Sequence, residues 1–378
     1  GYSVPSQLID SVANAESVSG FEMNYLDPDF EVPGEWKAAI GATYLLDLPV
    51  PYIGGEYVLN ADFLYTRDHN AAIIKRGDFV DATPAVGGLI PQYSSPRSPN
   101  TLALTNTDIE AESYSVSFAV SKDYDWGLDW TFGYAYNDAE DVNPMTSSVA
   151  FSNYTSPAFV DPQNPPLATS NYNIENRFTM LVNYETDWLV EDFFTRFSVF
   201  GVASEGRPFS YTMDSRGGGD ITNFNPFIAG DNFLLYVPTG PSDPNVDLSG
   251  LGADVDDFFA FLDENGLSQF AGGFAPRNGF NGGWWTKLDL RIEQEFPGLL
   301  EGHRTNAFIV IDNFTNLLND EWGILREASF PRRVSVVDAE LTNGDTQLAY
   351  SGFRPEIRTP VVGDASLWQV RVGLRYEF

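Results

Sequence analysis

Residues 366–378 read SLWQVRVGLRYEF and alternate without a break. Trp368, Val370, Val372, Leu374, Tyr376 and Phe378 fall on one face of an extended chain, with Gln369, Arg371, Gly373, Arg375 and Glu377 on the other. Side chains of a strand repeat every two residues, so this is a strand with one apolar and one polar face. Strands of soluble domains are commonly ~5–6 residues long. A strand that crosses a bilayer needs roughly 9–11, apolar toward lipid, polar toward a lumen and aromatic at both interfaces. The stretch therefore predicts a membrane-crossing strand with Trp368 at one interface and Tyr376 and Phe378 at the other.

Working back from that strand, the same alternation predicts eight more. They lie near Trp36–Leu46, Gly55–Arg67, Ile109–Ser121, Leu128–Tyr136, 177–185, Phe193–Ser204, 287–295 and Thr305–Phe314. In the third, Tyr114, Val116, Phe118 and Val120 oppose Ser113, Ser115, Ser117 and Ala119. Aromatics against small polar residues suit a barrel wall better than a sandwich core. Connections after the first, third, fifth and seventh strands are short. Those after the second, fourth, sixth and eighth are long, at about 68–108, 138–173, 212–282 and 319–364. Outer-membrane barrels have this asymmetry, with short periplasmic turns and long extracellular loops. Residues 1–33 read as a further extracellular loop segment and 34–378 as the wall. Within the long loops, VDDFFAFLDENG from Val255 to Gly266 has helical spacing, RRVSVVDAEL is strand-like, and Asn343-Gly344 is a hairpin signal.

Composition agrees with this reading. The 378 residues hold 29 Phe, 18 Tyr and 8 Trp, a load that suits strands and interfaces. A net charge of −32 leaves no surplus of Lys and Arg to neutralise phosphates, which argues against nucleic acid as a partner. No cysteine is present, so disulfides and thiolate metal sites are excluded. No apolar run approaches the ~18–20 residues of a transmembrane helix, so membrane insertion would need a closed barrel. Nine strands do not close antiparallel, because the first and last run the same way. The start, GYSVPSQLIDSVANAESVSG, is neither a signal peptide nor an initiating Met, and the expectation is that further strands precede Gly1.

Six stretches, in order, resemble the C-terminal part of TonB-dependent receptors of the Oar-like branch. They are NYLDPDFEVPGEWKAAIGATY at 24–44, EGRPFSYT at 205–212, GLSQFAGGFAPRN at 266–278, WWTKLDLRIEQEFPG at 284–298, NAFIVIDNFTNLLNDEWG at 306–323 and the terminal LWQVRVGLRYEF. The terminal Phe also resembles the C-terminal signal of bacterial outer-membrane barrels. The resemblance implies an all-β, 22-stranded transmembrane barrel of which this chain is about nine strands, with a plug domain and TonB box outside it. It implies a Gram-negative outer membrane, contact with its lipid and lipopolysaccharide, insertion by the barrel assembly machinery and energy from the inner-membrane TonB complex. The implied activity is uptake of a bulky siderophore-, oligosaccharide- or peptide-like ligand. The rival expectation is a membrane anchor whose acidic loops bind surface proteins or bridging cations.

Chemistry is sparse. His69 and His303 are far apart and fit neither a triad nor a zinc site, so no enzyme and no required cofactor is expected. Gly217-Gly218-Gly219 followed by Asp220 lacks the Lys of a phosphate loop and reads as a flexible loop. Asp254, Asp256, Asp257, Asp263 and Glu264 are candidate calcium ligands, or else a solvated helix face. Lys287, Asp289, Arg291 and Glu293 are candidate lumen charges, either on a ligand path or in cross-strand ion pairs that stiffen the wall. Trp284, Trp368, Tyr376 and Phe378, with Trp126 and Trp188, are the expected aromatic girdle. Ligand contacts are expected from the loops 138–173 and 212–282.

Overall fold

The computed structural model describes residues 23–77, 80–94, 101–215 and 230–378. The fold is all-β. Its largest element is a sheet whose nine principal strands lie side by side in chain order. They are β1 Gly34–Leu48, β2 Gly55–His69, β3 Glu112–Asp123, β4 Leu128–Asp141 and β5 Asn176–Val190. The remaining four are β6 Phe193–Ser204, β7 Trp285–Pro297, β8 Arg304–Asp312 and β9 Gln369–Glu377. Every neighbouring pair is antiparallel. Most strands run a few residues beyond the sequence estimate, because backbone pairing continues after the alternation of side chains fades.

All turns of the wall fit one rule. Residues 49–54, 124–127, 191–192 and 298–303 connect strands at one end, and 70–111, 142–175, 205–284 and 313–368 connect them at the other. The sheet is open. Among the described residues, neither the outer edge of β1 nor that of β9 meets another strand. Both edge strands run from the long-loop end to the short-turn end, so they cannot pair antiparallel with each other. No helix among the described residues is long and apolar enough to cross a membrane.

The long connections are far more structured than loops, and this is the main departure from the sequence reading. They fold together into a cap with its own core. Pro208–Asp214, Arg333–Thr342, Gln347–Ser351 and Val246–Gly250 form a second sheet in that spatial order. Its pairings are parallel, antiparallel and parallel, a topology that strand alternation cannot reveal because the partners come from different loops. The expected helix forms over Val255–Glu264 and buries Phe258, Phe261 and Leu262. The expected hairpin turns at Asn343-Gly344, where φ is 55° and 68°, the left-handed region that Asn and Gly tolerate. Phe258 packs edge-on against Tyr350 and Phe353, with ring centroids 6.1 and 5.6 Å away. Val86 and Ile90 from the first long connection and Phe159 from the second join the same cluster, so all four connections share it.

At the start of the described chain, Met23–Leu26 is a strand paired parallel to Thr101–Asn106, where the sequence suggested loop. Residues 1–22 and the Gly217–Gly219 stretch lie outside the described residues.

Candidate functional site

The two faces of the wall differ in kind. In register across the sheet, one face carries Ile40, Phe63, Val116 and Tyr136, then Tyr44, Leu59, Val120, Phe132 and Met180. It continues through Leu290, Ile311 and Val370, and through Ile292, Ile309 and Val372. Polar side chains on this face sit at its ends, Arg67 and Glu112 by the long loops, Lys122 and Gln294 by the short turns. Nothing among the described residues covers it: Trp36, Ile40, Val372 and Leu374 are 76, 71, 74 and 77% exposed. A continuous apolar face of this kind on a folded chain marks contact with lipid or protein.

The other face is polar, and its side chains satisfy one another across the strands. The Thr43 hydroxyl donates to Asn60 Oδ1 at 2.8 Å, Ser115 to Asn137 Oδ1 at 2.7 Å, and Asn183 Nδ2 to Asp129 Oδ1 at 2.8 Å. Each of these pairs is directly opposed in the ladder. The four candidate lumen charges lie here on β7. Lys287 pairs with Asp289 at 3.1 Å and Arg291 with Glu293 at 2.7 Å. These bridges run along the strand between residues two apart, where the sequence reading had them crossing between strands. Bridges that do cross between strands join Arg371 to Asp312, both contacts at 3.0 Å, Arg304 to Glu295 of β7 at 2.7 Å, and Arg196 to Glu185. Asp289 has a further task, accepting the Asn313 N–H at 2.6 Å where β8 gives way to its long connection. Beside these charges lies an open cavity of about 770 Å³ lined by Phe200, Arg291, Phe308, Asp312 and Arg371. Arg291 lies over the Phe308 ring, 4.7 Å from its centroid. The cavity offers paired guanidinium and carboxylate groups with aromatic walls.

Aromatics collect at both ends of the apolar face. Trp36, Trp284 and Trp368 stand at the long-loop end, with Trp284 6.1 Å from Phe178. At the short-turn end, Trp126 packs between Tyr124 and Tyr184, and Trp188 against Phe197. The Tyr376 hydroxyl lies 2.8 Å from His303 Nδ1 and accepts the Leu299 N–H at 3.3 Å, while Phe378 stacks beside His303. His303 is thus tied to the chain terminus. His69 sits 3.5 Å from Glu110 on the rim of the wall.

The five candidate calcium ligands share the solvent-facing side of the Val255–Glu264 helix and its entry. Asp263 accepts the Ser268 hydroxyl. Among the described residues, no three acidic or imidazole groups are gathered as a metal would need.

Two clasps fasten the cap to the wall, and sequence reasoning missed both. Arg277, 5% exposed, pairs with Asp141 at the end of β4 at 2.9 Å. Asn278 takes part in hydrogen bonds with Ser210, Thr169 and Asn171. The second clasp is Asn313, whose Nδ2 donates to the carbonyls of Gly323 and Ser366 at 3.0 and 2.8 Å. Both lie in motifs singled out for resemblance, so the stretches were visible while the distant partners Ser366 and Asp141, 53 and 136 residues away, were not. Between the clasps the chain narrows at Gly206 and Gly282, where a Cβ on Gly206 would lie 2.6 Å from the Gly282 carbonyl carbon. Only glycine permits that approach.

No protein-family model matches the chain and no curated protein matches it, so the receptor resemblance stands on its six motifs.

Proposed function

We propose that the nine strands are part of an outer-membrane β-barrel and that the chain is the C-terminal portion of a TonB-dependent receptor, importing a bulky ligand past its cap. The observation that carries this reading is the bare apolar face between two aromatic bands. Trp368 to Tyr376 spans ~27 Å along the strand, or ~21 Å after a tilt of ~40°, close to the ~25 Å apolar band of outer-membrane barrels. The one-sided placement of long connections and the hydrogen-bonded polar face support the same orientation, with cap outside and short turns in the periplasm. An odd number of further strands would close the barrel, because β1 and β9 run in the same direction. The polar cavity by Arg291 and Arg371 would then lie in the lumen, below the cap.

A second reading keeps the wall and makes the cap a docking platform for surface proteins; a cap with a core of its own favours it. One experiment separates the two. Cells with and without the gene are grown in defined medium, with and without a protonophore, and the spent medium is profiled. Uptake predicts a solute depleted only by energised cells that carry the gene. If depletion never differs while proteins are shed from the surface of the deletion strain, the platform reading replaces transport.

A further inference from the structure

The cap sheet ends in an open edge. Val246–Gly250 pairs parallel with Gln347–Ser351 on one side and with nothing on the other among the described residues. The Asn245 carbonyl accepts the Leu348 N–H at 2.8 Å, so the main-chain groups of Asn245 and Asp247 face the sheet. By the same alternation, those of Val246 and Leu248 face away. Two of these four are used locally: the Val246 N–H by the Asp243 carbonyl, and the Leu248 carbonyl by the Leu251 N–H. Among the described residues that leaves the Val246 carbonyl and the Leu248 N–H turned away from Gln347–Ser351, an acceptor and a donor two residues apart on residues that are 5 and 7% exposed. An open groove of about 460 Å³ runs along this edge, bounded by Pro241, Asp247, Ser249, Gly252 and Val255. Edges of this kind accept an extended peptide as an added strand.

The surroundings select the charge of that peptide. Asp247, Asp254, Asp256, Asp257, Asp263 and Glu264 are exposed or half-buried within residues 247–264, which hold no Lys or Arg, and the flanking cap residues Arg277, Arg333 and Arg354 each pair with a carboxylate. Asp247 flanks the edge itself, and Asp254, Asp256 and Asp257 begin the helix beside the groove. A surface of one sign concentrates partners of the other.

We infer that the Val246–Gly250 edge binds an extended, Lys- or Arg-bearing peptide segment, which makes a cationic polypeptide the ligand class of the cap. The inference rests on the reading above only in taking the cap to face the exterior. Main-chain pairing holds the peptide and the acidic surround selects it, so affinity falls with added salt.

The test uses the full-length protein in detergent or nanodiscs and three fluorescent octapeptides: alternating Lys-Val, the same peptide N-methylated at alternate residues, and alternating Glu-Val. The expected result is saturable binding of Lys-Val, weakened about tenfold by N-methylation and absent for Glu-Val. Asp247→Lys, at a partly exposed site that need not disturb folding, lowers affinity about fivefold. Equal binding of the N-methylated peptide would reduce the effect to charge alone and overturn strand addition. Absence of saturable Lys-Val binding would overturn the inference outright. Impermeant labelling of a Ser268→Cys variant on intact cells reports the cap's exposure separately, so a failure of the receptor reading is not mistaken for a failure of the edge.

Discussion

Asp243 shows how one carboxylate organises the cap. It is 5% exposed. Burial pushes its pKa up, but hydrogen bonds from the Thr239 and Asn245 N–H groups and the Thr239 and Tyr236 hydroxyls hold it below the usual carboxylate range. Its ring of partners reaches further, since the Tyr350 hydroxyl donates to the Tyr236 carbonyl at 2.8 Å and burial raises the pKa of both tyrosines. A depressed carboxylate stabilises the fold fully above its unfolded pKa, near 3.9, and the contribution is lost as pH falls through the lower folded value. Acid should therefore loosen the cap below about pH 4 and leave it unchanged from pH 5 upward. Asp243→Asn should cost ~1.5–3 kcal/mol at neutral pH and flatten that acid dependence, as read from denaturant midpoints across pH. Phe258→Ala removes a fully buried ring and should cost ~3–5 kcal/mol, seen as proteolysis confined to the cap while the wall stays intact. A wall that unravels together with the cap in that variant would show that the two are one cooperative unit.

At the scale of the element, the strands were legible and their long connections were not. A period of two needs only the local chain, so Val370 to Tyr376 or Tyr114 to Val120 disclose both strand and face. Arg333–Thr342 was also legible as a strand, by its run of Val and its Asn-Gly turn. Its parallel partner Pro208–Asp214 lies over a hundred residues earlier, and nothing local encodes that pairing. The same limit hid the Arg277–Asp141 and Asn313–Ser366 clasps and placed the Lys287–Asp289 and Arg291–Glu293 pairs across strands. Breaking a clasp tests its role: Asn313→Ala should remove the bonds to Gly323 and Ser366 and cost ~1–3 kcal/mol. Faster hydrogen exchange should then appear across 313–325 and 362–368, with the β8–β9 ladder unchanged. On the wall itself, Phe118→Arg at mid-strand should cost ~2–4 kcal/mol in a bilayer, and Ser117→Arg on the opposite face far less. Equal costs would mean that the apolar face does not meet lipid.

For the whole molecule, the question is what covers the wall. A soluble protein would bury Ile40, Phe118 and Val372 against a second layer, as the cap buries Phe258 and Tyr350. Here the larger core cluster is in the cap, and among the described residues the larger sheet keeps its apolar side bare and its polar side hydrogen-bonded. That inversion is the physical signature from which the membrane reading follows, and the identity of the ligand does not enter it. The chain's lack of cysteine makes it directly measurable, because single cysteines can be placed along β9 without background. Each position from Gln369 to Glu377 is spin-labelled in the full-length protein in lipid bilayers, and collisions with oxygen and with a water-soluble nickel chelate are compared. The account expects a period of two, with oxygen favoured at Val370, Val372 and Leu374 and nickel at Arg371, Gly373 and Arg375. Uniform nickel accessibility, or none at either set, would contradict it.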